Sequence, residues 1–261
     1  MRSLNIAATG LAAQQLNVDT ISHNLANMTT TSFKAQRPEF QDLLYQDLRR
    51  VGTNSTDQGT ILPVGVQIGL GVRTGAISRD TGQGTMQNTE NPLDVAINGK
   101  GYFQIELPDG STAYTRDGAF KISEDGTIVN RSGFTVQPAI TIPDNAESIS
   151  INDSGEVSVI VDGQTDPQLL GQFEVASFIN PNGLQATGDN LYLETTASGA
   201  PQLNNAGQDG MGVILQAYLE NSNVNPVSEI TDLIVAQRAY EMNTKVLTAS
   251  DQMLQSLNQS A

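Results

Sequence analysis

Residues 3–28, SLNIAATGLAAQQLNVDTISHNLANM, and residues 225–254, NPVSEITDLIVAQRAYEMNTKVLTASDQML, decide how this chain is read. In the first stretch Leu4, Leu11, Val18 and Leu25 recur every seven residues, and Ala7, Gln14, Ile21 and Met28 follow three residues after each. In the second, Leu233, Tyr240, Leu247 and Leu254 recur by sevens, interleaved with Ile230, Gln237, Thr244 and Asp251. Seven-residue apolar rows are the stripe of a helix that packs on another helix. Gln14, Gln237, Thr244 and Asp251 make the seam impure, and polar stripe residues lower stability while fixing register and partner number. A chain with an adhesive helix at each end is built to polymerise rather than to catalyse.

The spacing predicts a first helix from Ser3, as N-cap, to about Asn27. Gly10 inside it implies a closely approaching neighbour, because glycine costs about 1 kcal/mol relative to alanine in a helix. A second helix is expected from Pro38 to Arg50, with Phe40, Leu43, Leu44 and Leu48 on one face and Arg49-Arg50 at its C-terminal dipole. The last helix has a start signal in Asn225, a cap before Pro226, with Glu229 and Asp232 early in it.

Between the helices the pattern changes to strands. Val64, Val66, Ile68, Leu70 and Val72 alternate with Gly65, Gln67, Gly69, Gly71 and Arg73, the period of a strand, and the glycines imply another backbone nearby. Asp109-Gly110, Asp117-Gly118 and Asp125-Gly126 mark turns of successive hairpins over 95–137. Further strands are expected near Ser148–Ile151, Val157–Val161 and Gln172–Phe178, followed by a loop-laden return over 180–212. The fold class is therefore α+β. Residues 1–50 form an N-terminal helical polymerisation segment, 51–80 an extended arm, 81–211 a central β domain and 212–261 a C-terminal helical segment. The terminal helices make a coiled-coil-like inner domain, and the arm links it to the β domain.

Composition narrows the function. The formal net charge is −15, and residues 51–211 hold nineteen acidic side chains against six basic ones. The middle stays in water, the nearly neutral ends are free to bury together, and nucleic acid is excluded because phosphate binding needs clustered Lys and Arg. There is no Cys, hence no disulfide or thiolate chemistry. No apolar run is long enough to span a membrane, and Asn5, Thr9 and Gly10 interrupt any signal-peptide core.

Candidates for chemistry each have a plainer explanation. His23 is the only histidine, so no imidazole cluster exists for a metal or a triad. Gly99-Lys100-Gly101 and Gly69-Leu70-Gly71 lack phosphate-loop spacing. Asp153-Ser154-Gly155-Glu156 lacks the ligand series of a calcium loop. A glycan hydrolase would draw its two carboxylates from residues such as Glu106, Asp109 and Asp117, but those aspartates occupy turn positions and no Trp offers a sugar platform. No cofactor and no metal is expected.

The segments HNLANMTTTSFKAQRPEF (from His23), NPLDVAINGKGYFQI (from Asn91), YTRDGAF (from Tyr114) and LENSNVNPVSEITDLIVAQRAYEMNTKVL (from Leu219) resemble signatures of the bacterial flagellar rod and hook axial protein family. The matching residues include Asn24, Leu25, Ala26, Asn27, Phe33 and Lys34 at the front and Gln237, Arg238, Ala239 and Tyr240 at the back. His23 stands where the family usually has Asn. Ser32 stands where it has Gly, the residue that accepts a left-handed backbone most readily. LLYQDLRR and LPVGVQIGLGVR are similar to the extended segment of the rod members, a mid-sized proximal rod member being the nearest rival within the family. The resemblance implies export through the flagellar type III apparatus without a cleaved signal peptide. It implies assembly in the periplasm into a straight hollow rod, with the terminal helices as inner tube and the β domain outward. It also implies as partners further copies of the chain, proximal rod proteins, the hook protein, and the bushing rings of peptidoglycan and outer membrane. The expected polymerisation interface is Leu4, Leu11, Val18, Ile21, Leu25, Ile230, Leu233, Tyr240, Leu247 and Leu254; the expected arm is Val64, Val66, Ile68, Leu70 and Val72. Because isolated helices are marginal in water, the ends are expected to order when they meet other subunits.

Overall fold

The computed structural model describes residues 2–49, 65–164 and 166–260. The class is α+β, with one helix at each end and short antiparallel strands between them. The chain divides into two units. One comprises Met1–Ala26, Gln36–Arg79 and Asn225–Ala261; the other comprises Asn27–Ala35 and Asp80–Val224.

The first unit is built on α1 (Arg2–Ala26) and α2 (Pro226–Ser260), which pack along each other. Asn225 starts α2: its Oδ1 accepts from the backbone N–H groups of Val227 (3.1 Å) and Ser228 (3.5 Å), and Pro226 follows where no N–H is needed. The neighbour that Gly10 implied is α2, because a Cβ at Gly10 would lie 3.2 Å from the Asn243 amide nitrogen.

The helix expected over Pro38–Arg50 is absent from the described residues. The chain there forms β1 (Gln36–Asp42) and β2 (Tyr45–Arg49); Arg50 lies outside the described residues. β2 pairs antiparallel with β3 (Val66–Gly69), and β1 with β4 (Val72–Arg79). Phe40, Leu43, Leu44 and Leu48 do fall at helical spacing, but the strand-forming run after Val64 supplies a pairing partner that local spacing does not see. Pro38 is tolerated opposite Ile77 because both strands of a two-stranded ladder are edges and the missing N–H faces away from the ladder. A bulge follows between Glu39 and Phe40.

The single strand expected from Val64 to Val72 also breaks. Gly71 has φ +116° and accepts a hydrogen bond from Leu43 N–H, so the ribbon turns there on both strands. A Cβ at Gly71 would collide with Thr9 Oγ1 of α1, which accounts for the glycine. β1 and β4 touch α1, where Val72 N–H donates to Thr9 Oγ1, but the β2–β3 part beyond them is uncovered: Leu44, Tyr45, Leu48 and Val66 are all exposed. Val64 lies outside the described residues.

The second unit holds the β core. Its largest sheet runs Gln185–Gly188, Leu191–Leu193, Thr112–Thr115, Tyr102–Glu106, Glu174–Ser177, Gln202–Asn205, with Val136–Gln137 also paired to Tyr102–Glu106. A three-stranded sheet of Ala146–Ile151, Glu156–Val161 and Gln168–Gln172 packs into the same core. At the centre Phe103 meets Phe120 edge-on at 5.1 Å, and Phe120 stacks on Phe173 at 6.0 Å. Ile97, Ile105, Ile128, Ile140 and Ile214 are buried around them, each stabilising by about 1.5–3 kcal/mol.

The turns at Asp109-Gly110 and Asp125-Gly126 close hairpins as expected. Asp117-Gly118 does not. There the chain leaves the sheet, Val95 N–H donates to Gly118 O, and Asp94 bridges Ala119. Nor is 180–212 simply loop, since three strands in it extend both ends of the largest sheet. A Cβ at Gly118 would collide with the Val95 carbonyl. Gly118→Ala is therefore expected to destabilise the β unit by about 2–4 kcal/mol, read as a lower urea midpoint in near-ultraviolet circular dichroism.

Candidate assembly site

α1 and α2 bring most of the expected interface residues to one helix pair but divide them between two environments. Ile21 is buried, and Leu4, Leu11, Val18, Leu25, Leu233, Leu247 and Leu254 are half-buried. Ile230 and Tyr240 are 46% and 42% exposed. The buried line of α2 contains Ala236 and Ser250 with half-buried Glu229 and Asn243, one residue ahead of Ile230, Gln237, Thr244 and Asp251. On α1 the buried positions include Ala7, Ala13 and Thr20. The most buried positions of the helix pair are thus mostly small or polar, with Ile21 among them and the heptad leucines half-buried at the flanks, while Val227, Ile234, Val235, Met242, Val246 and Met253 of α2 remain in solvent. Gln15 and Val18 of α1 with Gln237, Tyr240 and Glu241 of α2 line a groove of ≈ 400 Å³. Arg238 is exposed and Ala239 half-buried beside it.

The front signature residues fall into two places. Leu25 and exposed Ala26 end α1, and Asn24 is buried there. Asn27, Phe33 and Lys34 belong to the loop that opens the second unit. In that loop Ser32 takes a left-handed backbone, φ +58°. Its N–H donates to Glu220 O at 2.7 Å and its Oγ donates to Arg116 O at 2.8 Å. Those two bonds, one of which glycine could not make, offset the strain of a non-glycine residue in this region.

The next step of the loop carries charge into the interior. Lys34 Nζ donates to Glu220 Oε1 at 2.6 Å and to Gly82 O at 2.8 Å. Arg116 Nε donates to the other carboxylate oxygen at 2.7 Å, and its remaining nitrogens donate to the carbonyls of Gly101, Gly99 and Ile97. Gly84 N–H donates to Glu220 Oε1. Glu220 is 1% exposed. Burial by itself raises its carboxyl, but the Arg116 guanidinium and the Lys34 ammonium outweigh burial and hold it below the ordinary carboxylate range. Lys34 shares the Glu220 carboxylate with Arg116, so burial, the largest influence on it, lowers the ammonium despite Glu220. Asn223 completes the dock: its Oδ1 accepts from Ala35 N–H, and its Nδ2 donates to Asp80 O and Gly82 O.

Sequence reasoning singled out Lys34 but missed Arg116 and Glu220. The available signal was that each is a charged residue inside a matched signature, flanked by residues that enter a core. Of the arm residues, Val66 and Leu70 are exposed and Ile68 and Val72 half-buried.

The candidates for chemistry have structural partners. The Ser111 hydroxyl donates to Asp109 and holds that exposed carboxyl low, opposite to what a general acid needs. Asp117 accepts from Ala119 N–H. Gly99 and Gly101 have positive φ and present their carbonyls to Arg116. Ser154 and Glu156 are tied to Asn152 within one turn. Among the described residues no three His, Cys, Asp or Glu side chains are placed to hold a metal ion, and no helix is long and apolar enough to cross a membrane.

Three family models match the chain: Flagella basal body rod protein over 4–34, Flagellar hook protein FlgE/F/G D1 domain over 96–159, and Flagellar basal body rod FlgEFG protein C-terminal over 215–260. Lys34, Arg116 and Glu220 lie one in each matched segment. The chain is 57% identical over 259 residues to Flagellar basal-body rod protein FlgG of Caulobacter vibrioides, covering 99% of both chains. It is 40% identical to the FlgG protein of Bacillus subtilis, covering 98% of both. It is 31% identical to that organism's Flagellar hook-basal body complex protein FlhP, covering 99% of this chain and 98% of the relative.

Glu220→Gln leaves two buried cations without their anion and is expected to cost about 3–5 kcal/mol at neutral pH. Because the folded carboxyl titrates below its unfolded value, its contribution is complete above the ordinary carboxylate range. It is lost as pH falls through the depressed value. Urea titrations of both proteins at successive pH values should show the gap between them closing in acid.

Proposed function

The chain belongs to the flagellar basal-body rod protein family, and from that premise we propose that it is a structural subunit of the distal rod. It polymerises into a straight hollow helical drive shaft that carries motor torque to the hook and serves as an export channel. The observation that carries this reading is the outer face of α2. A 35-residue helix leaves Ile234, Val235, Met242, Val246 and Met253 in water while its fully buried positions are the small Ala236 and Ser250 and its inward leucines are only half-buried. Fully burying each such side chain stabilises by about 1.5–3 kcal/mol, so a row of them favours contact with sister helices. A head-to-tail contact that does not close on itself generates a helical filament. The terminal helices become fully ordered on docking, which restricts growth to the tip.

The ribbon of β1–β4 has the same character. A two-stranded ribbon is marginal alone, and its exposed Leu44, Tyr45, Leu48 and Val66 gain a partner when it braces one subunit against another. Such a brace removes sliding freedom and keeps the polymer straight. The partners are further copies, proximal rod proteins, the hook protein, the bushing rings and the export apparatus. The location is the flagellar basal body across the periplasm, reached without a cleaved signal peptide. The role is structural, and no reaction is assigned to it.

Ile234→Asp and Val246→Asp place charges on the outer face of α2 without touching the core. Each is expected to abolish polymers in sedimentation and electron microscopy while changing monomer stability by less than about 0.5 kcal/mol. Polymers of normal length would refute the interface. Deleting 53–70 should give curved or more flexible polymers, and unchanged straightness in micrographs would count against the bracing role.

A further inference from the structure

Asn24 lies in the last turn of α1 and is almost completely buried, 2% exposed. Its Oδ1 accepts from Gln36 N–H at 2.8 Å, and its Nδ2 donates to Gln36 O at 2.8 Å. The amide therefore offers Gln36 the donor and acceptor that an adjoining strand would offer. Gln36 is the first residue of β1 and is paired with Arg79, the last residue of β4, so this contact falls on the root of the ribbon. The Asn24 amide also donates to Glu229 Oε2, at 3.3 Å, in the first turn of α2. One side chain thus joins the end of α1, the start of α2 and the root of the ribbon.

We propose that Asn24 is the positioning residue that fixes the direction of the ribbon relative to the helix pair before subunits meet. A two-stranded ribbon has no core of its own to orient it and takes its direction from α1, which meets it through Thr9 beside Gly71 and Val72 and through Asn24 at the root; of these two contacts the one at Asn24 also reaches α2. A brace of undefined direction would lose that freedom each time a subunit is added and bind more weakly for it. Asparagine is required by chemistry as well as size. Aspartate has the same shape and still accepts from Gln36 N–H, but it cannot donate to Gln36 O and it sets a second carboxylate against Glu229. The consequence for the polymer rests on the bracing role proposed above; the clamp itself does not.

The test is hydrogen exchange on the full-length monomer. Asn24→Asp is expected to speed exchange about tenfold in 36–42 and 72–79, the scale of a buried carbonyl left unpaired. The Phe103–Phe173 core should exchange as in the wild type. Adding Glu229→Gln removes the like charge and supplies a donor to Asp but leaves Gln36 O without its donor, so the double variant should recover part of the protection and not all of it; a general packing defect would not respond in this way. Wild-type exchange in Asn24→Asp, or no recovery in the double variant, overturns the proposal. Micrographs of the variant's polymers then separate the two ideas. A loosened ribbon in a polymer as straight as the wild type retires the bracing role and leaves the clamp. A curved polymer with an unchanged ribbon retires the clamp.

Discussion

The β unit depends on one buried carboxylate. Glu220 receives Lys34 from the loop near the start of the chain, Arg116 from the middle and the backbone of Gly84, all at hydrogen-bond distance. A buried charge is tolerated only when paired and fully hydrogen-bonded, so these groups must arrive together or the site is strongly unfavourable. That requirement gives the three matched segments a common physical reason. Each supplies one member of an ion triad that no two of them can complete. It also means that residues separated by more than a hundred positions must meet before the unit can close, a topology that favours all-or-none formation.

The helix pair follows a different logic. Its most buried positions are mostly small, Ala7, Ala13, Ala236 and Ser250 with Gly10 beside them, which let the two backbones approach closely; Ile21 is buried with them and the heptad leucines are only half-buried. Many of the larger apolar side chains of α2 sit on the outside. A monomer optimised for its own stability would place them the other way round. The arrangement makes sense when most of the hydrophobic stabilisation is held back for contact with other subunits. The uncovered β2–β3 part of the ribbon repeats the pattern with strands in place of helices.

Charge separates the two units as clearly as packing does. The helical and ribbon unit carries eight basic and nine acidic side chains; the β unit carries five basic and nineteen acidic. Lys34 and Arg116, two of those five, are consumed by Glu220 in the interior. The exposed surface of the β unit is therefore strongly acidic, which favours solvation and opposes association through it, while the nearly neutral unit has no such barrier to polymerising.

Much of this was written locally in the chain. Heptad spacing marked both helices, Asn225-Pro226 marked the start of the second, and Asp-Gly pairs at 109–110 and 125–126 marked two hairpins, because each depends on residues within a few positions of one another. Gly10 announced a close neighbour without naming it. The apolar spacing of Phe40, Leu43, Leu44 and Leu48 suits a helix, and only pairing with 66–79 makes Gln36–Arg49 a ribbon. Asp117-Gly118 carried a hairpin signature but serves to bring Arg116 to Glu220. The choice of Ala236, Asn243 and Ser250 over their immediate neighbours as the inner line of α2 required the partner helix to be present. The sequence by itself determined the class, the two helices, the acidic middle and the family. The tertiary structure alone decided which charges meet, which helix face turns inward and what Asn24 holds, because those are contacts between distant residues and short-range pattern carries no record of them.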